Sequence, residues 1–200
     1  MEEEKVIHVF QGDLDHALPL ALQSFWGEAE SIEVSSRLSY SQQFLHVRFS
    51  VMEKQLRRMT TEHNQQTYTD SCVEIFLKSE NQTEYVNFEF SASTKVLVGR
   101  GEGRGNRTLY PISLIKQIPV SVQILENCIE RSIWKLEASI DLSLFGLVEP
   151  NTSLSGLRLM GNLYKCGDGL KEKHYLSYAP VGTLKPDFHT PSFFVPLQFS

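Results

Sequence analysis

Hydrophobic and polar residues alternate along much of the chain with a period of two. In residues 44–51, FLHVRFSV, the apolar Leu45, Val47 and Phe49 share one face and polar side chains share the other. This period is typical of a β-strand with one buried face. Strands are predicted at residues 44–51, 72–77, 85–91, 94–98, 120–125, 133–140, 157–164 and 193–199. The last strand is predicted to lie at a sheet edge, because Pro196 has no N–H to donate.

Helical signals are few. Residues 13–25 have an amphipathic pattern that Pro19 interrupts, and residues 53–59 predict a short helix. Residues 141–145 predict a single helical turn with Asp141 as its N-cap. Short strands joined by polar loops favour an all-β fold, an antiparallel β-sandwich of the jelly-roll or immunoglobulin-like type with one or two short helices. A length of 200 residues suits one domain spanning residues 1–200.

The composition narrows the range of partners. The chain is 41% hydrophobic and carries a net charge of −5, which disfavours nucleic acid and anionic membranes as partners. No run approaches the roughly 20 apolar residues of a membrane span. The N-terminus MEEEKVIHVF lacks the basic and apolar regions of a secretory signal, so we expect a cytoplasmic protein.

The three cysteines lie far apart in the sequence. Cys72, Cys128 and Cys166 form no CxxC pair and no zinc-binding pattern, so reduced thiols are expected and no metal or cofactor is predicted. Cys166, Gly167 and Asp168, followed by His174, allow either a metal or thiol site or a turn between strands, and the glycine-rich spacing favours the turn.

The predicted strands also carry a second face that is unusually rich in polar and aromatic residues. It comprises His46, Arg48, Glu74, Phe76, Tyr85, Asn87, Glu89, Arg158, Asn162 and Tyr164. Carboxylates, amides and guanidinium groups hydrogen-bond to hydroxyls, and aromatic rings stack on C–H faces, so this face suits a polyhydroxylated ligand. The alternative is a solvated sheet face with Arg–Glu pairs across strands. The order of the strands decides between the two.

Several separate blocks of sequence follow one another in the order of a known family. They are YTDSCVEIFL at 68–77, YVNFEFSA at 85–92, LEASIDLSLFGL at 136–147, GNLYKCGDGLKEKHYLSYAPV at 161–181 and KPDFHTPSFFVPLQF at 185–199. In these blocks the chain resembles the family 9 carbohydrate-binding modules, and more closely a family 9-like group of bacterial proteins. The resemblance begins near residue 30 and runs to the end. It implies a DOMON-like β-sandwich that binds a sugar or similar ligand without catalysis, in carbohydrate catabolism.

The resemblance also implies a set of site residues. Two aromatic rings clamp a terminal sugar in the sugar-binding members, and the matching positions here are Tyr68 and Phe188. The matching acid on the strand is Glu74, whereas Glu89 and Ser91 stand where the sugar binders use Arg and Asn. With the polar face added, the predicted ligand-binding residues are Tyr68, Glu74, Asn87, Glu89, Arg104, Arg107, Arg158, Asn162, Tyr164 and Phe188.

Arg104 and Arg107 belong to a glycine-rich stretch, GRGEGRGNR at 99–107. A dinucleotide fingerprint would need a helix directly after the glycines, and a phosphate-binding P-loop would need Gly-Lys-Ser/Thr, so neither is predicted. An isolated Arg-Gly segment in an acidic chain is also weak evidence for RNA binding. The stretch is predicted to be a mobile loop whose arginines fold back onto Glu74 and Glu89, or onto a ligand.

Two other functions stay open. Glu74 or Glu89 could act as general acid or base in a glycoside-processing enzyme or sensor, with Asp70 nearby. Alternatively, the chain is an interaction domain without a small ligand, in which an apolar patch of Phe193, Phe194 and Phe199 pairs subunits along a sheet edge. Calcium at Asp168 or Asp187 is a further possibility, because some family members bind it. The oligomeric state stays undetermined.

Overall fold

A computed structural model describes residues 5–27, 29 and 31–200. Nearly all of its regular structure is β-strand, as predicted. The only α-helix among these residues is α1, Ile112–Ile115, and single 3₁₀ turns span Thr67–Thr69 and Pro191–Phe193. The strands are β1 Ile7–Gln11, β2 Leu20–Ala21, β3 Gln23–Ser24, β4 Glu33–Ser41, β5 Phe44–Glu53, β6 Cys72–Ser79, β7 Tyr85–Ser91, β8 Val96–Gly101, β9 Thr108–Leu109, β10 Val120–Asn127, β11 Ser132–Asp141, β12 Arg158–Cys166, β13 Tyr175–Ser177 and β14 Val195–Phe199.

The strands form a continuous, folded sheet in the order β10-β11-β5-β4-β1-β14-β12-β6-β7-β8-β9. Neighbours are antiparallel except at β1, which lies parallel to β4 on one side and to β14 on the other. Strand β1 therefore joins two layers: a first layer of β10, β11, β5 and β4, and a second layer of β14, β12, β6, β7, β8 and β9. The predicted β-sandwich is confirmed.

The main core fills the space between the two layers. In β5 and β11 every second residue is buried, as the alternation predicted. Trp134 is fully buried, and its indole N–H donates to the Glu53 carboxylate at 2.7 Å. Buried polar groups need such partners, because an unpaired one costs about 1–3 kcal/mol.

The outer side of the second layer is covered as well. All seven residues of β7 are buried, and β6 and β12 are buried on both faces over most of their length. The cause is a second apolar cluster, separate from the main core, to which the chain after β13 contributes. Its buried members are Cys72, Phe76, Tyr85, Tyr164, Cys166, Val181, Phe188 and Phe194.

The single short α-helix of the described residues agrees with the predicted one or two short helices, but the predicted positions are wrong. Residues 13–25 contain the short strands β2 and β3, residues 53–59 contain no helix, and residues 142–146 form turns after β11. The helix α1 follows Pro111. Proline suits a helix start because its φ is fixed, and because an N–H at this position would have no hydrogen-bond partner within the helix. In the part of the chain that the structure describes, no helix has the length and apolarity to cross a membrane.

The C-terminal strand is not an edge strand. β14 pairs with β12 on one side and with β1 on the other. Pro196 is tolerated because the pairing with β1 involves only residues 197–199. Phe199 lies in the main core and Phe194 in the second cluster, so the predicted apolar interaction patch of phenylalanines is absent from the described surface.

The polar face predicted as one surface is divided between the two layers. His46 and Arg48 lie on β5 in the first layer, where Arg48 forms ion pairs with Glu137 across the strands at 2.6 Å and with Asp15. This part of the face follows the alternative interpretation, a solvated sheet face with cross-strand pairs. Only the residues on β6, β7 and β12 share the second layer.

One buried ion pair links the two layers. Lys165 of β12 is fully buried, and its ammonium group lies 2.9 Å from Glu53 and 2.8 Å from the imidazole of His174. Removing one member leaves the other charge buried and unpaired. We expect Lys165→Ala to lower the free energy of unfolding by about 3–5 kcal/mol, measured by urea denaturation.

The matched control is Lys54→Ala, which removes an exposed pair with Glu172. That change should cost no more than about 1 kcal/mol. A loss from Lys165→Ala as small as that of the control would contradict the assigned importance of the buried pair.

Candidate binding pocket

A pocket of about 370 Å³ opens on the outer side of the second layer. Its floor comes from β6, β7 and β12, and its walls come from the loops that follow β8, β12 and β13. The lining residues are Tyr68, Glu74, Asn87, Glu89, Leu97, Arg104, Arg107, Leu109, Cys166, Asp168, Tyr175, Pro186, Phe188 and His189.

Two carboxyl groups lie side by side at the floor. Glu74 of β6 and Glu89 of β7 are directly opposite each other in the ladder, and their side chains point to the same face. Both are buried, at 2% and 5% exposure. Glu89 accepts hydrogen bonds from Asn87 Nδ2 at 2.8 Å and Thr67 Oγ1 at 3.1 Å. Glu74 Oε1 lies 3.0 Å from the Cys166 thiol, which donates to it.

Burial disfavours the charged form of both groups. It raises the pKa of Glu74 well above its ordinary value, and the neighbouring Cys166 and Glu89 add to the rise. Burial likewise raises the pKa of Glu89 to about 7, against the hydrogen bonds from Thr67 and Asn87, which lower it. Arg48 and Arg158, the arginines of the predicted polar face, pair instead with Glu137 and Glu80. Burial therefore favours the protonated, hydrogen-bond-donating form of Glu74, and Glu89, whose pKa is raised to about 7, can donate or accept near neutral pH.

Arg107 reaches the same floor from the loop after β8. Its guanidinium group lies over the Tyr85 ring at 4.4 Å and donates to Asn87 Oδ1 and to the Gly99 carbonyl. A Cβ at Gly99 would lie 3.0 Å from Asn87 Oδ1 and 3.3 Å from Arg107 Nε, so glycine makes room for this contact. Arg107 donates to Asn87, which donates to Glu89, and this chain of hydrogen bonds fixes the orientation of the amide.

Arg104 is paired with a different acid from Glu74 and Glu89, the two acids predicted for it. It forms an ion pair with Asp187 at 3.1 Å, with 65% of its side chain exposed, and so bridges two loops at the pocket rim. Neither Arg104 nor Arg107 forms an ion pair with Glu74 or Glu89 within the described residues. The glycine-rich stretch is also less loop-like than predicted, because residues 99–101 belong to β8.

The aromatic residues of the pocket are not equally accessible. Phe188 is only 7% exposed, because its ring stacks on Tyr164 with centroids 4.2 Å apart. Tyr68 and Tyr175 are half-buried, so both rings keep surface toward the pocket. His189 accepts or donates a hydrogen bond with the Tyr85 hydroxyl at 2.7 Å.

Seven of the ten predicted residues line the pocket, and three do not. Arg158 lies at the far end of β12 and pairs with Glu80 at 3.1 Å. Asn162 is buried and holds the backbone of Ala179 through two hydrogen bonds. Tyr164 is buried beneath Phe188. The alternation correctly indicates their face of β12, but it carries no information on which part of that face the later loops cover.

Seven lining residues lie outside the predicted set: the apolar Leu97, Leu109 and Pro186, and four with polar groups, Cys166, Asp168, Tyr175 and His189. Among these four, sequence signals differ. Cys166 alternates in phase with Asn162 and Tyr164 on β12, so the period of two was a usable signal for it. The other three lie on turns or a three-residue strand, where no periodicity exists. Asp70, weighed as a candidate acid, is instead fully buried and accepts backbone N–H bonds from Met59 and Thr60.

The comparison with known families agrees with this architecture. The model of carbohydrate-binding family 9 matches residues 23–199. The chain belongs to carbohydrate-binding family 9. No curated protein matches it significantly.

Solved structures of similar fold include a carbohydrate-binding protein and two sugar complexes of family 9 modules. A proposed carbohydrate-binding protein from Bacteroides uniformis is 25% identical with a TM-score of 0.85, over 99% of this chain and 100% of the other. A family 9 module from Caldicellulosiruptor kristjanssonii in complex with cellotriose is 12% identical with a TM-score of 0.64, over 98% and 93% of the two chains. The same kind of module in complex with glucose is 13% identical with a TM-score of 0.62, over 98% and 96%.

The raised pKa of Glu89 in this family 9 chain predicts a pH-dependent stability. The group has an ordinary value of 4.5 and a folded value of about 7, so the folded protein binds more protons between those limits. The contribution of Glu89 to the free energy of unfolding is therefore fully present below about pH 4.5 and is lost as the pH rises through 7. At about 1.4 kcal/mol for each unit, the loss is on the order of 3 kcal/mol.

Urea unfolding between pH 4.5 and 8 measures this loss. We expect Glu89→Gln to remove this loss from the profile, because the amide does not titrate. The slope that persists includes Glu74 and, with the opposite sign, His174 and His189, whose pKa values burial lowers to about 4. Glu130→Gln, at an exposed position, should follow the unmodified protein. Superimposable pH profiles for Glu89→Gln and the unmodified protein would refute the assignment.

Proposed function

We propose that the chain binds a carbohydrate, without catalysis, in the pocket between β6, β7 and the surrounding loops. Membership of family 9 supports a carbohydrate-binding module. The observation that carries the proposal is the arrangement of half-buried tyrosine rings around hydrogen-bonding groups in one pocket of about 370 Å³. Sugar sites combine these two features, because a pyranose has apolar C–H faces and a rim of hydroxyl groups.

Tyr68 and Tyr175 are proposed to supply the stacking surface. Both rings are half-buried and line the pocket, whereas the Phe188 ring is occupied by Tyr164 on one side. Phe188 also contacts Tyr175 edge-on, with ring centroids 6.2 Å apart. In this proposal Phe188 supports Tyr175, and only the edge of its ring contacts the ligand. It is not one of two rings that stack on opposite faces of the sugar.

Glu74, Glu89, Asn87 and Arg107 are proposed to bind the sugar hydroxyls. A protonated Glu74 can donate to a hydroxyl, and Glu89 can accept or donate near neutral pH. Family 9 sugar binders use Arg and Asn where this chain has Glu89 and Ser91. Arg107 and Asn87 bring the same two groups to the pocket from other positions, which favours retention of sugar binding.

The expected ligand is a free sugar or a chain end, and the expected affinity is weak, because a hydrated sugar loses many hydrogen bonds to water on binding. A role in carbohydrate catabolism is part of the same proposal. It rests on membership of family 9.

Titration with glucose, cellotriose and a panel of other mono- and oligosaccharides tests this function, with isothermal calorimetry and NMR shifts as readouts. We expect Tyr68→Ala and Tyr175→Ala to raise Kd by about tenfold each, equivalent to about 1.4 kcal/mol of lost stacking. Phe188→Ala should also weaken binding, since it removes the support of Tyr175.

Phe10→Ala is the matched control, because Phe10 is 39% exposed on β1 and lies outside the pocket. Its Kd should equal that of the unmodified protein. Absence of any shift with the whole panel, in a protein that is folded by circular dichroism, would overturn the proposal.

Glycoside hydrolysis is the second candidate. The observation that favours it is the pair of opposed carboxyl groups with raised pKa values in one pocket. A hydrolase also needs one ionised carboxylate as nucleophile or base, and burial opposes ionisation of both groups. Release of nitrophenol from nitrophenyl glycosides, abolished in Glu74→Gln and Glu89→Gln, would favour the enzyme over the binding module.

A further inference from the structure

Two of the three cysteines meet at the floor of the pocket. Cys72 of β6 and Cys166 of β12 are direct partners in the antiparallel ladder, so their side chains share the outer face. Glu74, two residues after Cys72, shares that face as well. All three residues are buried at 2% exposure or less. Cysteine sulfurs and a carboxylate together are a donor set found in zinc sites.

The donor atoms are close enough to share one ion. The two sulfurs and a Glu74 carboxylate oxygen all lie within 4.8 Å of one another. The sulfur of Cys166 lies 3.0 Å from Glu74 Oε1, and that of Cys72 lies 3.8 Å from it. Tetrahedral Zn²⁺ has bonds of about 2.3 Å to sulfur and about 2.0 Å to oxygen, which separates its ligand atoms by roughly 3.5 Å. Small side-chain rotations bring the three atoms to that spacing.

The charge of the site also favours a cation. Glu74, Glu89 and Asp168 line one pocket, and the two nearby arginines are engaged with Asn87 and Asp187. A divalent ion bound by two thiolates and one carboxylate leaves the group with a net charge of about −1, whereas the three deprotonated side chains alone carry about −3.

The chemistry selects the ion. Thiolate ligands favour Zn²⁺ and related soft or borderline cations, whereas Ca²⁺ takes six to eight oxygen ligands. His174 is not a fourth ligand, because its Nε2 lies 2.8 Å from the Lys165 ammonium group. Cys166 and Glu74 line the pocket, so the fourth position faces it. The buried oxygen Oδ1 of Asp168, which lacks a hydrogen-bond partner within the described residues, lines the same pocket.

We infer that Cys72, Glu74 and Cys166 bind one Zn²⁺ ion at the pocket floor, with a water molecule from the pocket as the fourth ligand. Metal binding does not require a sugar, but the ion shares Glu74 with the proposed sugar site, so with zinc bound the hydroxyl contacts fall to Glu89, Asn87 and Arg107. Its ligands are invisible to a search for close cysteine spacing, because Cys166 follows Glu74 by 92 residues and only the β6–β12 pairing brings them together.

Co²⁺ reports on such a site through its thiolate charge-transfer absorption. We expect the fully reduced, metal-free protein to bind one equivalent of Co²⁺ with this absorption, and one equivalent of Zn²⁺ to displace it. Cys72→Ser and Cys166→Ser should each weaken binding at least about 100-fold, the upper end of the loss caused by outer-shell changes. Affinity should rise with pH, because binding releases protons.

Cys128→Ser is the matched control, since Cys128 is exposed and lies away from the pocket. It should bind both metals like the unmodified protein. Glu74→Gln keeps both thiols and should weaken binding while retaining the charge-transfer band, so the assignment can be tested even if a serine variant fails to fold. Circular dichroism monitors folding in each case.

Three results would overturn the inference. The first is absence of stoichiometric metal binding by the reduced, folded protein. This result covers the case in which Cys72 and Cys166 are isolated as a disulfide and the protein still binds no metal after the disulfide is reduced. The second is unchanged binding in folded Cys72→Ser and Cys166→Ser. The third is loss of binding in Cys128→Ser. Sugar titration of the metal-free protein tests the proposed function separately, so failure of the metal site and failure of sugar binding can be distinguished.

Discussion

Burial of both faces of the second layer is the constraint on which the pocket depends. A sheet with one solvated face would leave Glu74 and Glu89 in water, where carboxylates are ionised. Here the chain after β13 covers that face, and the two opposed carboxyl groups are left almost without solvent. Their raised pKa values, the capacity of Glu74 to donate and the suitability of the floor for a cation all follow from this covering.

The same covering requires a partner for each buried polar group. Asp70 meets this need by accepting backbone N–H bonds from the segment after β5, so its carboxylate organises a loop. Asn162 does so on the other side by holding the chain at Ala179. Neither residue lines the pocket; each holds a segment of backbone elsewhere, which explains why polar character alone is a poor guide to ligand contact.

The alternation of side chains identified most strands, the sandwich and the correct face of β6, β7 and β12. It could not give the order of strands, so His46 and Arg48 were grouped with residues of the opposite layer. Pro196 suggested an edge position for β14, which is wrong because β1 supplies a parallel partner that leaves no local signal in the sequence. The resemblance to family 9 pointed to Tyr68 and Phe188, but the accessibility of their rings depends on packing with Tyr164, which no motif records. Tyr175 lies on a three-residue strand with no pattern to read.

The parallel pairings of β1 have a consequence for synthesis of the protein on the ribosome. β1 is made before the other described strands, and it lies between β4, which follows soon after, and β14, which is made after all of them. Until residues 195–199 leave the exit tunnel, β1 and β12 both lack a neighbour and the two layers cannot close. A nascent chain thus carries open strand edges through most of its translation, and these are the surfaces on which chaperones act and chains misassemble.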